Sequence, residues 1–246
     1  MWRGCPPPPN IVLEPVNSAG NTSVKGRQRG SLLDRFSKHS YWAVLVAILV
    51  TFFFVGLVPD SAWSNSVLIL LLTGTLVLAL RTSGWRVTQS RTVFVLVVVG
   101  LTATVANLVW SGEAILAVLG ILMGLLTLAL GVVVALGAIE QGVVNTKSVA
   151  GAICVYILIG MVFLYLYGVM ATLGHGPFFA QGTDGTRPVR LYFSYVTLAT
   201  LGYGDYTPAG NGGHVFAVFE ALLGQLYLVT VVAVVVSRLS GRSKDL

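Results

Sequence analysis

The chain has 246 residues, 55% of them hydrophobic and 10% charged, with a net charge of +6 and a mean hydropathy of +0.84. A soluble domain carries about 25% charged residues, so this composition excludes a water-soluble globular protein and marks an integral membrane protein. The surplus of Lys and Arg is read as membrane topology, and no nucleic-acid partner is expected.

The N-terminal stretch 1–30 is rich in Pro, Asn, Ser and Gly and opens without the apolar segment of a signal peptide. Residues 1–38 are expected to form a disordered cytoplasmic tail. Apolar runs then recur at about the length that crosses a bilayer. They fall at 41–58, 66–80, 92–110, 114–137, 149–173 and 214–237. None alternates with period two, so these six spans are expected to be helices and the fold an all-α membrane protein. Trp42, Trp63, Trp85 and Trp110 lie near span ends, where aromatic rings settle among the headgroups.

Basic residues set the orientation. Lys25, Arg27, Arg29, Arg35 and Lys38 precede span one; Arg81, Arg86 and Arg91 follow span two; Lys147 follows span four; Arg238, Arg242 and Lys244 follow span six. The other side carries only Arg187 and Arg190, in a long connection. This asymmetry places both termini in the cytoplasm, as an even number of spans requires. The two cysteines, Cys5 and Cys154, lack metal-ligand spacing, as do His39, His175 and His214. Asn21-Thr22-Ser23 matches a glycosylation sequon, but the topology puts it inside.

Span four, from Ala114 to Leu136, contains no Lys or Arg. A voltage sensor needs several basic residues in the field, each worth about 2.3 kcal/mol per 100 mV, so steep voltage gating is not expected. Gly120-x-x-x-Gly124 is a candidate helix-packing face.

Between spans five and six, residues 174–190 are polar and Gly-rich, and 191–200 make about three helical turns, too short to cross a bilayer. A re-entrant helix fits. It leads into Thr200-Leu201-Gly202-Tyr203-Gly204-Asp205. Irregular backbone at membrane depth survives only where it is buried in protein or lines a watery cavity. Glycines at 202 and 204 reach backbone angles denied to other residues, so that successive carbonyls can face one axis. Rings of such oxygens replace the water shell of a cation, and a ring needs several chains. No phosphate-binding glycine loop, catalytic triad or paired catalytic carboxylates occur, so no enzyme activity and no cofactor are expected.

The six-residue string resembles the selectivity filter of potassium channels, and the order outer helix, pore helix, filter, inner helix resembles their pore module over residues 150–240. The resemblance implies K+ coordination by the carbonyls of Thr200, Leu201, Gly202 and Tyr203 with the Thr200 hydroxyl. Gly204 continues the filter and Asp205 sits at its outer mouth. The Tyr203 ring would brace the filter against the pore helix. Gly224 stands where the family often has a hinge glycine. Two departures stand out. Leu201 replaces the commoner Val or Ile, and Phe193 offers no polar handle where many members have a Trp that reaches the filter aspartate.

Glu220 is the acidic residue well inside a predicted span, a candidate for gating or for structural hydrogen bonding. Gln225, Leu228 and Val232 form a stripe that could line an inner cavity. The expected organisation is 1–38 tail, 39–147 four-helix region without sensor charges, 148–238 pore domain and 239–246 short cytoplasmic tail. The expected protein is a homotetrameric K+ channel of the plasma membrane, with K+ and membrane lipids as partners. The alternatives are a regulatory or non-conducting channel-like subunit and, less well matched, a secondary transporter, which would show broken helices in both halves.

Overall fold

The computed structural model describes residues 41–82, 98, 102, 105, 113–140 and 146–242. The predicted tail 1–38 and span 92–110 therefore lie outside the described residues, apart from Val98, Thr102 and Val105, each helical. The described chain forms α1 (Tyr41–Leu57), α2 (Ala62–Thr82), α3 (Glu113–Glu140), α4 (Thr146–Leu173), α5 (Arg187–Leu198) and α6 (Asn211–Arg242). It contains no β-strand, only isolated bridges from Phe179 to Thr183 and to Pro208.

Among the described residues, four helices are long and apolar enough to cross a membrane: Trp63–Thr82, Ala117–Gly137, Val149–Leu173 and Asn211–Val234. The apolar α1 is shorter; its 17 residues rise about 25 Å. It ends before Pro59, which cannot continue a helix. Ser61 and Ser64 then start α2 by reciprocal capping: Ser64 N–H donates to Ser61 Oγ and Ser61 N–H to Ser64 Oγ. Hydroxyls within the spans are satisfied by their own helices, as Thr51 on Ala47 O, Thr75 on Leu71 O and Thr127 on Met123 O show. Lipid offers them no other partner.

The most extensive helix pair is α3 with α4. The glycines of α3 lie in this seam. A Cβ at Gly120 would meet Val169 at 3.5 Å, one at Gly124 would meet Tyr165 at 3.3 Å, and one at Gly131 would meet Leu158 at 3.8 Å. Small residues thus let the two backbones approach. The main core, with Ile48, Leu68, Leu72, Leu130, Leu158 and Met161, lies among α1 to α4. A second, aromatic core holds Phe163, Tyr167, Phe178, Phe179 and Phe193.

Two boundaries differ from expectation. The helix predicted over 191–200 begins at Arg187, because Pro188 supplies the helical φ of the first turn and Asp60 caps it from another element. The last helix runs to Arg242, through the first half of the predicted tail 239–246. Residues 243–246 lie outside the described ones.

Candidate functional site

The site is assembled around α5, which is tied at both ends. At its start Thr186 makes no side-chain cap. The cap comes from the α1–α2 connection, where Asp60 Oδ2 accepts the Arg187 N–H at 2.9 Å. The Arg187 guanidinium, nearly buried, meets Asp60 Oδ1 at 2.8 Å and donates to Asn65 Oδ1 at 2.6 Å. Arg190 donates to the carbonyls of Asp184 and Gly185.

At its end α5 passes directly into the Thr200–Asp205 strand. The N–H groups of Leu201 and Gly202 both donate to Val196 O, at 2.8 and 3.4 Å. The negative end of the α5 dipole therefore stands beside the strand, where it favours a cation. Thr200, Gly202 and Gly204 have φ of 55°, 58° and 78°, while Leu201 and Tyr203 do not have positive φ. Alternation of left-handed with ordinary residues is a backbone pattern that allows successive carbonyls to face the same side. Thr200 holds this conformation with a side chain, at a cost of about 1–2 kcal/mol; such strain is kept where the surroundings over-determine the backbone. Beyond the strand, Ala180 N–H donates to Thr207 O and Ala209 N–H to Phe178 O, both at 2.8 Å. The 178–180 loop thus clamps the far end.

Behind α5, Glu220 is fully buried. The Tyr167 hydroxyl of α4 donates to its Oε2 at 2.6 Å. The Ser194 hydroxyl of α5 lies 2.5 Å from its Oε1 and 2.8 Å from Gly160 O. One carboxyl group therefore joins α4, α5 and α6. One turn further on, Gly224 packs under the last turn of α5, where an added Cβ would come within 2.8 Å of Leu198 Cδ1. Close approach explains a glycine here, and α6 continues through it as helix.

Phe193 packs in the aromatic core, with ring centroids 5.1 Å from Tyr167 and 5.3 Å from Phe179. The polar handle sought at 193 is supplied by its neighbour. The Tyr192 phenol stands within electrostatic reach of the Asp205 carboxylate. The Tyr192 ring also stacks on Tyr203, centroids 6.5 Å apart and planes 11° from parallel. Leu201 and Tyr203 remain 58% and 67% exposed. They line an apolar hollow of about 520 Å³ with Phe52, Leu57, Tyr195 and Val196.

The predicted site residues thus fall into two groups. Thr200 to Asp205, Glu220 and Gly224 gather around α5, whereas Gln225, Leu228 and Val232 lie on an exposed stretch of α6. Sequence reasoning missed Tyr167, Ser194, Tyr192 and the Asp60–Arg187 tie. Their partners lie far along the chain, and no local spacing announces them. Among the described residues no His, Cys, Asp and Glu group could hold a metal.

Residues 151–241, from α4 through α6, match the family model described as an ion channel. No curated protein and no solved structure gives a match. The match covers less than half of the chain; it takes in α5, residues 200–205, Glu220 and Gly224 but not Asp60 or Asn65, and it supports an ion-channel family. Together with the apolar helices, the match points to a multi-pass membrane protein with an ion-channel domain.

Proposed function

We propose that the chain is one subunit of a homotetrameric, K+-selective channel of the plasma membrane, with six spans, α5 as re-entrant pore helix and both termini cytoplasmic. The observation that carries this reading is the alternation of left-handed φ at Thr200, Gly202 and Gly204, in a strand that starts at the C-terminal end of α5. Carbonyls of Thr200, Leu201, Gly202 and Tyr203, with the Thr200 hydroxyl, replace the water shell of a dehydrated K+. One chain offers one wall of such a site, so closed symmetry completes it. The uncovered Leu201 and Tyr203 and the sparse burial of α6 support this, since only 11% of the apolar window of that helix is buried. In the assembly Gln225, Leu228 and Val232 line the cavity below the filter, and Asp205 gathers cations at its mouth.

Conduction is passive: an ion sheds water, shares a row of carbonyl sites with others and leaves under their repulsion. On this reading 148–238 is the pore domain, 39–147 a helical region without sensor charges, and 1–38 and 239–246 flank them. Span four carries no Lys or Arg between Ala114 and Leu136, so opening is not steeply voltage-dependent. No cofactor is needed beyond the permeant ion. Efflux from liposomes tests the function: K+-loaded vesicles should discharge and Na+-loaded ones should not. Equal efflux of both ions would overturn the selectivity.

A further inference from the structure

A second cavity, of about 240 Å³, lies away from the filter, between the N-terminal ends of α2 and α5 and the bodies of α3 and α4. Its walls include Asp60, Asn65, Gly120, Tyr165, Arg187 and Arg190. Three buried polar atoms on these walls have no hydrogen-bond partner: Arg187 Nη1, Arg190 Nε and Tyr165 Oη. Arg187 and Tyr165 are 5% and 6% exposed. An unmade hydrogen bond at a buried donor is costly, so three on one cavity mark a place for a guest.

All three atoms carry protons to donate, so the guest must bring acceptors. Charge narrows the choice. Two guanidiniums and one carboxylate, Asp60, line the cavity, at 2.8 Å from Arg187 and 4.0 Å from Arg190; Asp184 acts on Arg190 from outside it, so the lining itself is cationic. The separated donors require several oxygens on one centre, and guanidinium groups match phosphoryl oxygens well. The volume exceeds that of one water, about 30 Å³. Next to Asp60, Trp63 is 57% exposed, and an exposed indole at a span end sits at headgroup level.

We infer that this cavity is a binding site for a phosphoryl oxyanion, presented by a phospholipid headgroup or by free phosphate, held by Arg187, Arg190 and Tyr165. The site ties the connection before α2 to the start of α5, so its occupant steadies the helix that carries the filter. It is independent of which ion the filter passes.

The test uses the full chain in detergent. Thermal unfolding is followed with added inorganic phosphate, with dihexanoyl phosphatidylglycerol, and with chloride at matched ionic strength; phosphorus retained by the purified wild type is assayed in parallel. At ten times its Kd the guest should raise Tm by about 3 °C, and chloride should not. A rise with phosphate identifies a free anion as sufficient; a rise with the lipid alone identifies the headgroup. Arg190→Gln and the conservative Tyr165→Phe should each weaken the shift at least threefold in concentration. No shift with either probe and no retained phosphorus would overturn the site, leaving water in the cavity. So would a shift that both variants leave unchanged.

Discussion

Glu220 of α6 and Ser194 of α5 meet at 2.5 Å in a site closed to solvent. With Tyr167 and Gly160 they make three oxygen–oxygen contacts, for which the two hydroxyls supply only two protons. A proton on Glu220 completes the set: it goes to Ser194, which then donates to Gly160 O.

An amide supplies that same proton. Glu220→Gln should therefore retain assembly and lie within about 1 kcal/mol of the wild type. Glu220→Leu leaves the buried Tyr167 hydroxyl without a partner, while Ser194 keeps Gly160 O, and should cost about 1–3 kcal/mol. Thermal unfolding of both variants checks this, and equal losses would contradict the proton count.

Gly202→Ala tests the backbone rather than the space around it. A Cβ there meets nothing within 4 Å, so the penalty is the left-handed φ of 58°, about 1–2 kcal/mol per chain. The variant should assemble with normal oligomeric mass yet lose K+ efflux. Unchanged K+ selectivity would contradict the role of this strand.

Tyr192→Phe removes the phenol within reach of Asp205 and keeps the ring on Tyr203. Currents should decay faster during sustained opening. Currents that decay at the wild-type rate would contradict a role for this phenol.

Asp60→Asn weakens the tie between the α1–α2 connection and α5. Arg187 is nearly buried and keeps Asn65 as a partner, so the expected loss is about 2 kcal/mol, a fall in Tm of roughly 4–8 °C. A Tm within 1 °C of the wild type would show that α5 is positioned without this pair.

How much of this was legible in the sequence differs by element. The apolar runs announced α1, α3, α4 and α6 because lipid forces backbone bonding within each segment and selects length directly. The string from Thr200 to Asp205 was legible because its glycines sit where φ is positive. The start of α5 was not, because its cap is Asp60, 127 residues away. Ser194 and Tyr167 were silent for the same reason: a serine in a short helix and a tyrosine in a span gain meaning only when Glu220 is brought between them. Gly224 was read as a hinge from resemblance, whereas its packing against Leu198 appears only once α5 and α6 cross.

The most direct test of the central claim is the reversal potential of the purified protein in a planar bilayer with K+ on one side and Na+ on the other. The account predicts reversal close to the K+ equilibrium potential, with little change of open probability across voltage. Current that reverses near zero would contradict it.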